Sequence, residues 1–227
     1  MRNKILSIMA VVMAVAMLLT ACDDHIQEDL SWHSWQVGMV YGANGDITTY
    51  ERCVASGNTP EAVVFYIDTE DAISGKAYAV SLYDNRSLAF SATDTTYAAQ
   101  GTSADITAFD GESNTTALRY YQIASPIADA VDAKYFIPSV AEMYKLFVAR
   151  DVVNITIAQC GGDLLPTSDT NCWYWTSTEC EDAETDRAWR FSLYSGRFES
   201  TDKHTSLPVR PIMMIRLNQE EQQEEQQ

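Results

Sequence analysis

The feature that most constrains the fold lies between residues 173 and 200, where aromatic residues are denser than anywhere else in the sequence. Within it, side chains alternate, with one set on each side of the chain: Trp189, Phe191 and Leu193, then Arg190, Ser192 and Tyr194. A period of two residues predicts a half-buried β-strand. Ser195-Gly196 can turn the chain, so residues 197–200 are predicted to pair back as a hairpin. With further strands predicted at 174–179 and 209–215, this region is predicted to be the core sheet of one domain.

More strands are predicted upstream of this region. The continuous apolar run at 62–67 predicts a central strand, and the alternation at 78–82 predicts its partner. Asn44-Gly45 is a strong turn dipeptide, which predicts a hairpin between strands at 37–41 and 47–50.

The helices are marked most clearly by their ends. Ser139 followed three residues later by Glu142 is a capping box, and the apolar residues after it recur at helical spacing. Two more helices are predicted, one over 152–160 that ends at the following glycine pair, and one over 114–124 that ends before Pro126. The pattern therefore predicts an α+β fold of antiparallel sheets with two or three flanking helices and long loops.

The N-terminus has the pattern of a processed leader. Arg2 and Lys4 precede an apolar run, and residues 19–22 (Leu-Thr-Ala-Cys) resemble the lipobox at which bacterial lipoproteins are diacylated and cleaved. Residues 1–21 are therefore predicted to be a signal peptide and Cys22 the lipidated residue, which would hold the protein at a membrane. The alternative is an uncleaved anchor helix with an incidental cysteine, although the apolar run is short for a membrane span.

The segments around the domain are strongly polar. Residues 22–35 predict an acidic tether, and residues 218–227, mostly Gln and Glu, predict a disordered tail after a single domain at 36–217. Acidic residues just after the lipidated cysteine resemble the surface-export signal of some Gram-negative lipoproteins, which predicts a lipid-anchored, outward-facing outer-membrane protein; the alternative is a plain solvated tether. The formal charge of −17 repels phosphate backbones, so nucleic acid is not an expected partner.

Four cysteines follow Cys22, and an even number outside the cytosol permits disulfides with three alternative pairings. An extended strand from Cys172 to Cys180 would separate their Cα atoms by about 25 Å, far beyond the limit of about 7 Å for a disulfide. The predicted disulfide is Cys160–Cys172, across a glycine-containing loop, and buried thiols are the alternative.

Seven short motifs together resemble one bacterial family. In order they are VGMVY at 37–41, PEAVVFYID at 60–68, AVSL at 79–82, IPSVAEM at 137–143, YWTSTE at 174–179, AWRF at 188–191 and VRP at 209–211. This order resembles the major paralogous domain family, also known as the C-terminal domain of a collagen-like adhesin, which is related to the C-type-lectin-like fold and more distantly to formylglycine-generating enzymes. The resemblance covers residues 36–216. It implies a C-type-lectin-like domain whose first and last strands lie near each other, and a role in adhesion or glycan binding outside the cytoplasm.

The candidate ligand-binding residues are aromatic and charged side chains of the aromatic region: Trp173, Tyr174, Glu179, Arg187, Arg190 and Arg197. Exposed rings stack on apolar faces, and arginine supplies forked donors. The alternatives are that the aromatic rings belong to the core and that the arginines pair with nearby carboxylates. The loop 179–186 holds five carboxylates, so it predicts either a Ca²⁺ site or a solvated acidic loop; it lacks the signatures of calcium-dependent lectins, and no other cofactor is predicted.

No catalytic arrangement stands out in the sequence. The three histidines do not form a Ser/His/Asp pattern, and Cys172 and Cys180 do not match the cysteine motif of a formylglycine-generating enzyme. The sequence therefore predicts a non-catalytic envelope lipoprotein that binds a glycan or a protein on the cell exterior. The alternatives are a structural or assembly subunit of an envelope complex, an oxidase of the formylglycine-generating type, and a retroelement-diversified binder of the same fold.

Overall fold

The computed structural model describes residues 34–69, 75–94, 98–180 and 186–216. The predictions for the signal peptide, for Cys22, for most of the tether, for the centre of the acidic loop and for the tail lie outside these residues. Within the described ranges no helix combines the length and apolar character needed to cross a bilayer. The predicted α+β class with antiparallel sheets is confirmed.

The strands of the described residues form three sheets, of five, three and two strands. In chain order they are β1 (Val40–Gly42), β2 (Ile47–Thr48), β3 (Pro60–Asp68), β4 (Lys76–Ser81), β5 (Leu88–Ala89), β6 (Trp173–Glu179), β7 (Arg187–Ser192), β8 (Phe198–Asp202), β9 (Ser206–Leu207) and β10 (Ile212–Arg216). The five-stranded sheet has the order β10-β4-β3-β1-β2, the three-stranded sheet the order β6-β7-β8, and β5 pairs with β9. The predicted central strand, its partner and the aromatic hairpin are therefore confirmed. The first and last strands share one sheet but are separated in it by β3 and β4.

In the described part of the chain four helices accompany the sheets: α1 (Tyr50–Ala55), α2 (Gly111–Tyr120), α3 (Pro126–Asp129) and α4 (Val140–Cys160). The return strand predicted at 47–50 is shorter, because the side chain of Thr49 accepts a hydrogen bond from the Arg52 N–H and thereby caps α1. Pro126 was predicted only to end the preceding helix, but it is also the first residue of α3, a position where its missing N–H costs nothing.

The longest helix begins at the predicted capping box. The Ser139 N–H donates to Glu142 Oε2 at 2.7 Å, and the Glu142 N–H donates to Ser139 Oγ at 3.3 Å. The prediction of a separate helix over 152–160 was wrong, because α4 continues unbroken to Cys160 and no glycine or proline interrupts it. Its predicted end is confirmed: Gly161 adopts the left-handed conformation, with φ of 71°, and caps the helix.

Strand β6 lies between two hydrophobic clusters. On one face Tyr174 and Phe191, which pair across β6 and β7, pack with the inner side of α4 and with β3 and β4. On the other face Trp175 packs in a second cluster with Phe90 and Leu118. Side chains on both faces of β6 are therefore buried, whereas β7 and β8 also carry partly exposed side chains.

Candidate functional site

One end of the three-stranded sheet presents four contacting side chains, which we call the Trp173 patch: Trp173, Arg190, Arg197 and Glu199. Arg190 of β7 lies directly opposite Glu199 of β8 in the strand register. The Arg190 guanidinium lies over the half-buried ring of Trp173, with its carbon 4.3 Å from the ring centroid. A cation held over an aromatic face in this way is attracted by the ring electrons, so the ring and the guanidinium position each other.

Glu199 holds both arginines of the patch. Arg190 Nη2 donates to Glu199 Oε2 at 2.9 Å, and Arg197 Nη2 donates to Glu199 Oε1 at 3.1 Å. The arginine pair leaves the patch with one net positive charge in a chain whose formal charge is −17. Glu199 was not among the residues predicted from sequence, because only the β7–β8 register brings it to Arg190.

The arrangement leaves hydrogen-bonding capacity unused. The Arg197 side chain is 73% exposed, and the Arg190 and Glu199 side chains are 27% and 36% exposed. Arg190 Nε is buried and has no hydrogen-bond partner among the described residues. A guanidinium carries five N–H donors, so both arginines retain donors that a ligand can use beside an aromatic surface.

The opposite face of the same sheet end adds two aromatic rings. Trp189 and Phe198 pack edge to face, with centroids 5.3 Å apart, and Phe198 is 39% exposed. Trp189 Nε1 is buried without a hydrogen-bond partner among the described residues. Phe198 is a second residue that the sequence reasoning missed, although its place in the predicted hairpin follows the same alternation as Trp189.

Tyr174 is not a surface residue, contrary to the prediction. It is 2% exposed, and its hydroxyl donates to Asp84 Oδ2 at 2.8 Å. Burial, reinforced by the charge of Asp84, raises the pKa of the Tyr174 hydroxyl far above its usual range. The prediction assumed one solvent-facing side for β6, whereas both sides of the strand are covered by core.

Glu179 is also internal and does not belong to the patch. It forms a buried ion pair with Lys203 and accepts hydrogen bonds from the Gln100 N–H at 2.9 Å and the Thr102 N–H at 3.1 Å. These contacts fasten the loop around residues 100–102 to the end of β6. The Glu179 carboxylate therefore has a structural role and lies apart from the patch.

Arg187 is separated from the patch by its place on β7. Its Nε donates to Ser200 Oγ at 3.0 Å and its Nη2 donates to the Ser200 carbonyl oxygen at 2.6 Å. Because side chains alternate along a strand, Arg187 and Arg190 lie on opposite faces of β7. Of the six predicted residues, the structure thus brings together Trp173, Arg190 and Arg197.

The predicted Cys160–Cys172 disulfide is absent. Cys53, Cys160, Cys172 and Cys180 all retain thiols. Cys172 Sγ lies 3.4 Å from the hydroxyl of Ser192, the last residue of β7, whereas Cys160 is the last residue of α4. The prediction counted only the short loop between the two cysteines and took no account of the packing of Cys172 against Ser192.

The metal prediction stays open. Among the described residues no group of three or more His, Cys, Asp or Glu side chains is arranged to hold a metal ion. Residues 181–185 of the acidic loop lie outside the described ranges, so the Ca²⁺ interpretation remains a prediction.

The solvent face of α4 is the second notable surface. Four apolar side chains follow one another along it, between 49% and 66% exposed; we call them the α4 stripe: Tyr144, Val148, Val152 and Ile155. At one end of the stripe, α1 and the segment 36–39 form a shallow groove of about 240 Å³ with α4. Exposed apolar surface in a continuous row is typical of an interaction site.

No protein-family model matches this chain, and no curated protein sequence matches it significantly. The assignment of a function therefore depends on the geometry of the chain itself.

Proposed function

We propose that the protein is a cell-envelope lipoprotein, anchored through lipid on Cys22, whose C-type-lectin-like domain binds a glycan without catalysis. The observation that carries the proposal is the Trp173 patch, in which an aromatic ring, two guanidinium groups and a carboxylate share one sheet end. The order of the seven motifs supports the C-type-lectin-like family, and the lipobox-like leader supports a lipid-anchored location at the cell envelope.

The chemistry of the patch suits a sugar. A pyranose ring has an apolar face of C–H groups that packs on an aromatic surface, and its hydroxyls need donors and acceptors at the rim. Arg197 and Arg190 supply donors, and Glu199 supplies acceptor oxygens. The excess positive charge favours a glycan that carries a carboxylate or sulfate group, because the rest of the chain is acidic and repels such a group.

The binding test is a glycan array with the chain from Asp23 onward, run with Ca²⁺ and again with a chelator. Against the best glycan, Trp173→Ala and Arg197→Ala are expected to weaken binding by about tenfold or more each, the range of a central contact residue. Two exposed side chains outside the patch give matched controls: Tyr120→Ala for the ring and Arg86→Ala for the charge.

Three results would overturn this assignment of the site. One is binding that is unchanged in both patch variants; another is a loss of binding that follows a loss of thermal stability, which would make the residue structural. Binding that disappears in chelator and is indifferent to Trp173→Ala would move the site to the acidic loop. The anchor is tested separately, by metabolic labelling with a palmitate analogue, which Cys22→Ser should abolish.

The α4 stripe favours a second candidate function, that of an assembly subunit. The residues of the stripe have nearly the same spacing whether they are counted from the N-terminal or the C-terminal end of α4. Two copies of α4 that pack antiparallel about a two-fold axis would therefore place Tyr144 near Ile155 of the second copy and Val148 near Val152. Asp151 on this face is balanced by Arg150, whose Nε lies 3.0 Å from Asp151 Oδ1.

Light scattering after gel filtration tests the second candidate. If the stripe joins two copies, the wild-type chain is a dimer at micromolar concentration and Val148→Asp is a monomer with an unchanged fold. Tyr120→Asp, which places the same charge on exposed α2, should leave the dimer intact. A wild-type chain that stays monomeric up to about 100 µM would refute self-assembly through this face.

A further inference from the structure

Two cysteines far apart in the sequence lie on helices that pack against each other, Cys53 on α1 and Cys160 at the end of α4. Cys53 lies on the inner side of α1 and is fully buried, while its neighbours Arg52 and Val54 are exposed. Cys160 is the final residue of α4 and is partly buried. Gln159, next to Cys160, has its Nε2 3.5 Å from Oε1 of Glu51, two residues before Cys53, so the two helices touch close to both cysteines.

The electrostatics of the two thiols agree with this proximity. Burial and, secondarily, the charge of the neighbouring Cys53 raise the pKa of Cys160 to about 11. Burial also raises the pKa of Cys53, with a smaller contribution from Asp46. Neither thiol is therefore a strong nucleophile at neutral pH, and spontaneous oxidation is expected to be slow.

We propose that Cys53 and Cys160 form a disulfide that ties α1 to the end of α4, while Cys172 and Cys180 stay outside this bond. Cys172 and Cys180 flank the extended strand β6 and cannot pair with each other. The bond would close a loop of roughly 100 residues, the class of loop for which a disulfide restricts the unfolded chain most. It is independent of the proposed ligand site and uses the proposed envelope location only as the source of an oxidant.

The oxidant is a disulfide, either of a small thiol compound or of a dithiol oxidoreductase. Because Cys160 is partly exposed, its thiolate attacks one sulfur of the oxidant and releases the other as a thiol after protonation. The buried Cys53 thiolate then attacks the Cys160 sulfur and releases the second thiol. Two protein thiols are oxidised to one disulfide, and the oxidant disulfide is reduced to two thiols, with the two protons of the cysteines transferred to them.

The test uses the chain from Asp23 onward, which keeps the four cysteines of the domain. The native chain is treated with glutathione disulfide at about pH 8.5, alkylated, and mapped by mass spectrometry under non-reducing conditions. The expected result is one cross-linked peptide pair that contains Cys53 and Cys160, with Cys172 and Cys180 alkylated. Reductant should then lower the melting temperature of the oxidised wild type and of oxidised Cys172→Ser, but not of Cys53→Ser or Cys160→Ser.

Three outcomes would overturn the proposal: a link between Cys160 and Cys172, a stable glutathione adduct on Cys160 with Cys53 still a thiol, or four alkylated cysteines after prolonged oxidation. The Cys172→Ser variant removes a thiol without touching the α1–α4 contact, so it separates a folding defect from loss of the bond. Formation of the bond in the purified chain but not in protein extracted from cells would contradict the envelope location and leave the pairing intact.

Discussion

Glu142 is expected to make the stability of the domain depend on pH. It caps α4 from inside the core, where it is 1% exposed and accepts the Ser139 N–H at 2.7 Å. Burial, reinforced by the nearby Asp110 carboxylate, raises the pKa of Glu142 from 4.5 to about 7, against hydrogen bonds from Ser139 and Gly111. Replacing it by Gln keeps an acceptor for the cap and removes the titration.

The sign and size follow from proton linkage. Between pH 4.5 and about 7 the unfolded chain has lost the Glu142 proton while the folded chain retains it. The unfolding free energy therefore falls as the pH rises through this window, and above the folded pKa the whole effect persists. A shift from 4.5 to about 7 corresponds to about 3 kcal/mol, because each pKa unit is worth about 1.4 kcal/mol.

Urea unfolding followed by tryptophan fluorescence, at intervals from pH 4.5 to 8, measures the effect. The unfolding free energy of wild type minus that of Glu142→Gln should decrease by about 3 kcal/mol across the range. Glu112→Gln removes an exposed carboxylate from the first turn of α2 and should retain the wild-type pH dependence. A difference that is flat, or that grows with pH, would refute the assignment of a protonated cap.

Two further substitutions test the interior. Lys203→Met leaves the buried Glu179 carboxylate without a counter-charge and should lower the unfolding free energy by about 3–5 kcal/mol. The control Lys134→Met removes a partly exposed ion pair and should lower it by less than about 1 kcal/mol. Equal losses of unfolding free energy in urea would contradict the account of a buried pair. Gly196→Ala and Gly45→Ala both place a side chain at positive φ, which should cost each variant about 1–2 kcal/mol of stability. Only in Gly196→Ala would the new Cβ lie 2.7 Å from the Phe147 ring. The melting temperature of Gly196→Ala should therefore fall further than that of Gly45→Ala. Equal melting temperatures would show that the ring moves aside freely.

The sequence predicted best those features that have a local signal. The apolar run at 62–67 and the Ser139–Glu142 capping box became β3 and the start of α4, because hydrophobic period and cap chemistry act over a few residues. The false break in α4 has no counterpart in the sequence, since no glycine or proline lies between residues 140 and 160. The helix is apolar on its outer side as well, a pattern that only its place in the fold can interpret.

The candidate site was predicted in part, for a related reason. Trp173, Arg190 and Arg197 could be selected by residue type in a predicted hairpin, but Glu199 joins them through strand register, which the sequence specifies only indirectly. Lys203 carries no local signal that it pairs with Glu179 in the interior. Without that partner in view, a glutamate beside an acidic loop resembles a surface residue.

The position of β10 constrains the order in which this domain can assemble on the ribosome. β10 is the last described strand, yet it lies beside β4, which is synthesised long before it. Until residues 212–216 leave the ribosome, β4 has an unpaired edge, and the hydrophobic cluster that contains Ile212 lacks the side chains of β10. The five-stranded sheet therefore closes only after nearly the whole domain has been translated, and we expect slow folding dominated by contacts between distant parts of the chain.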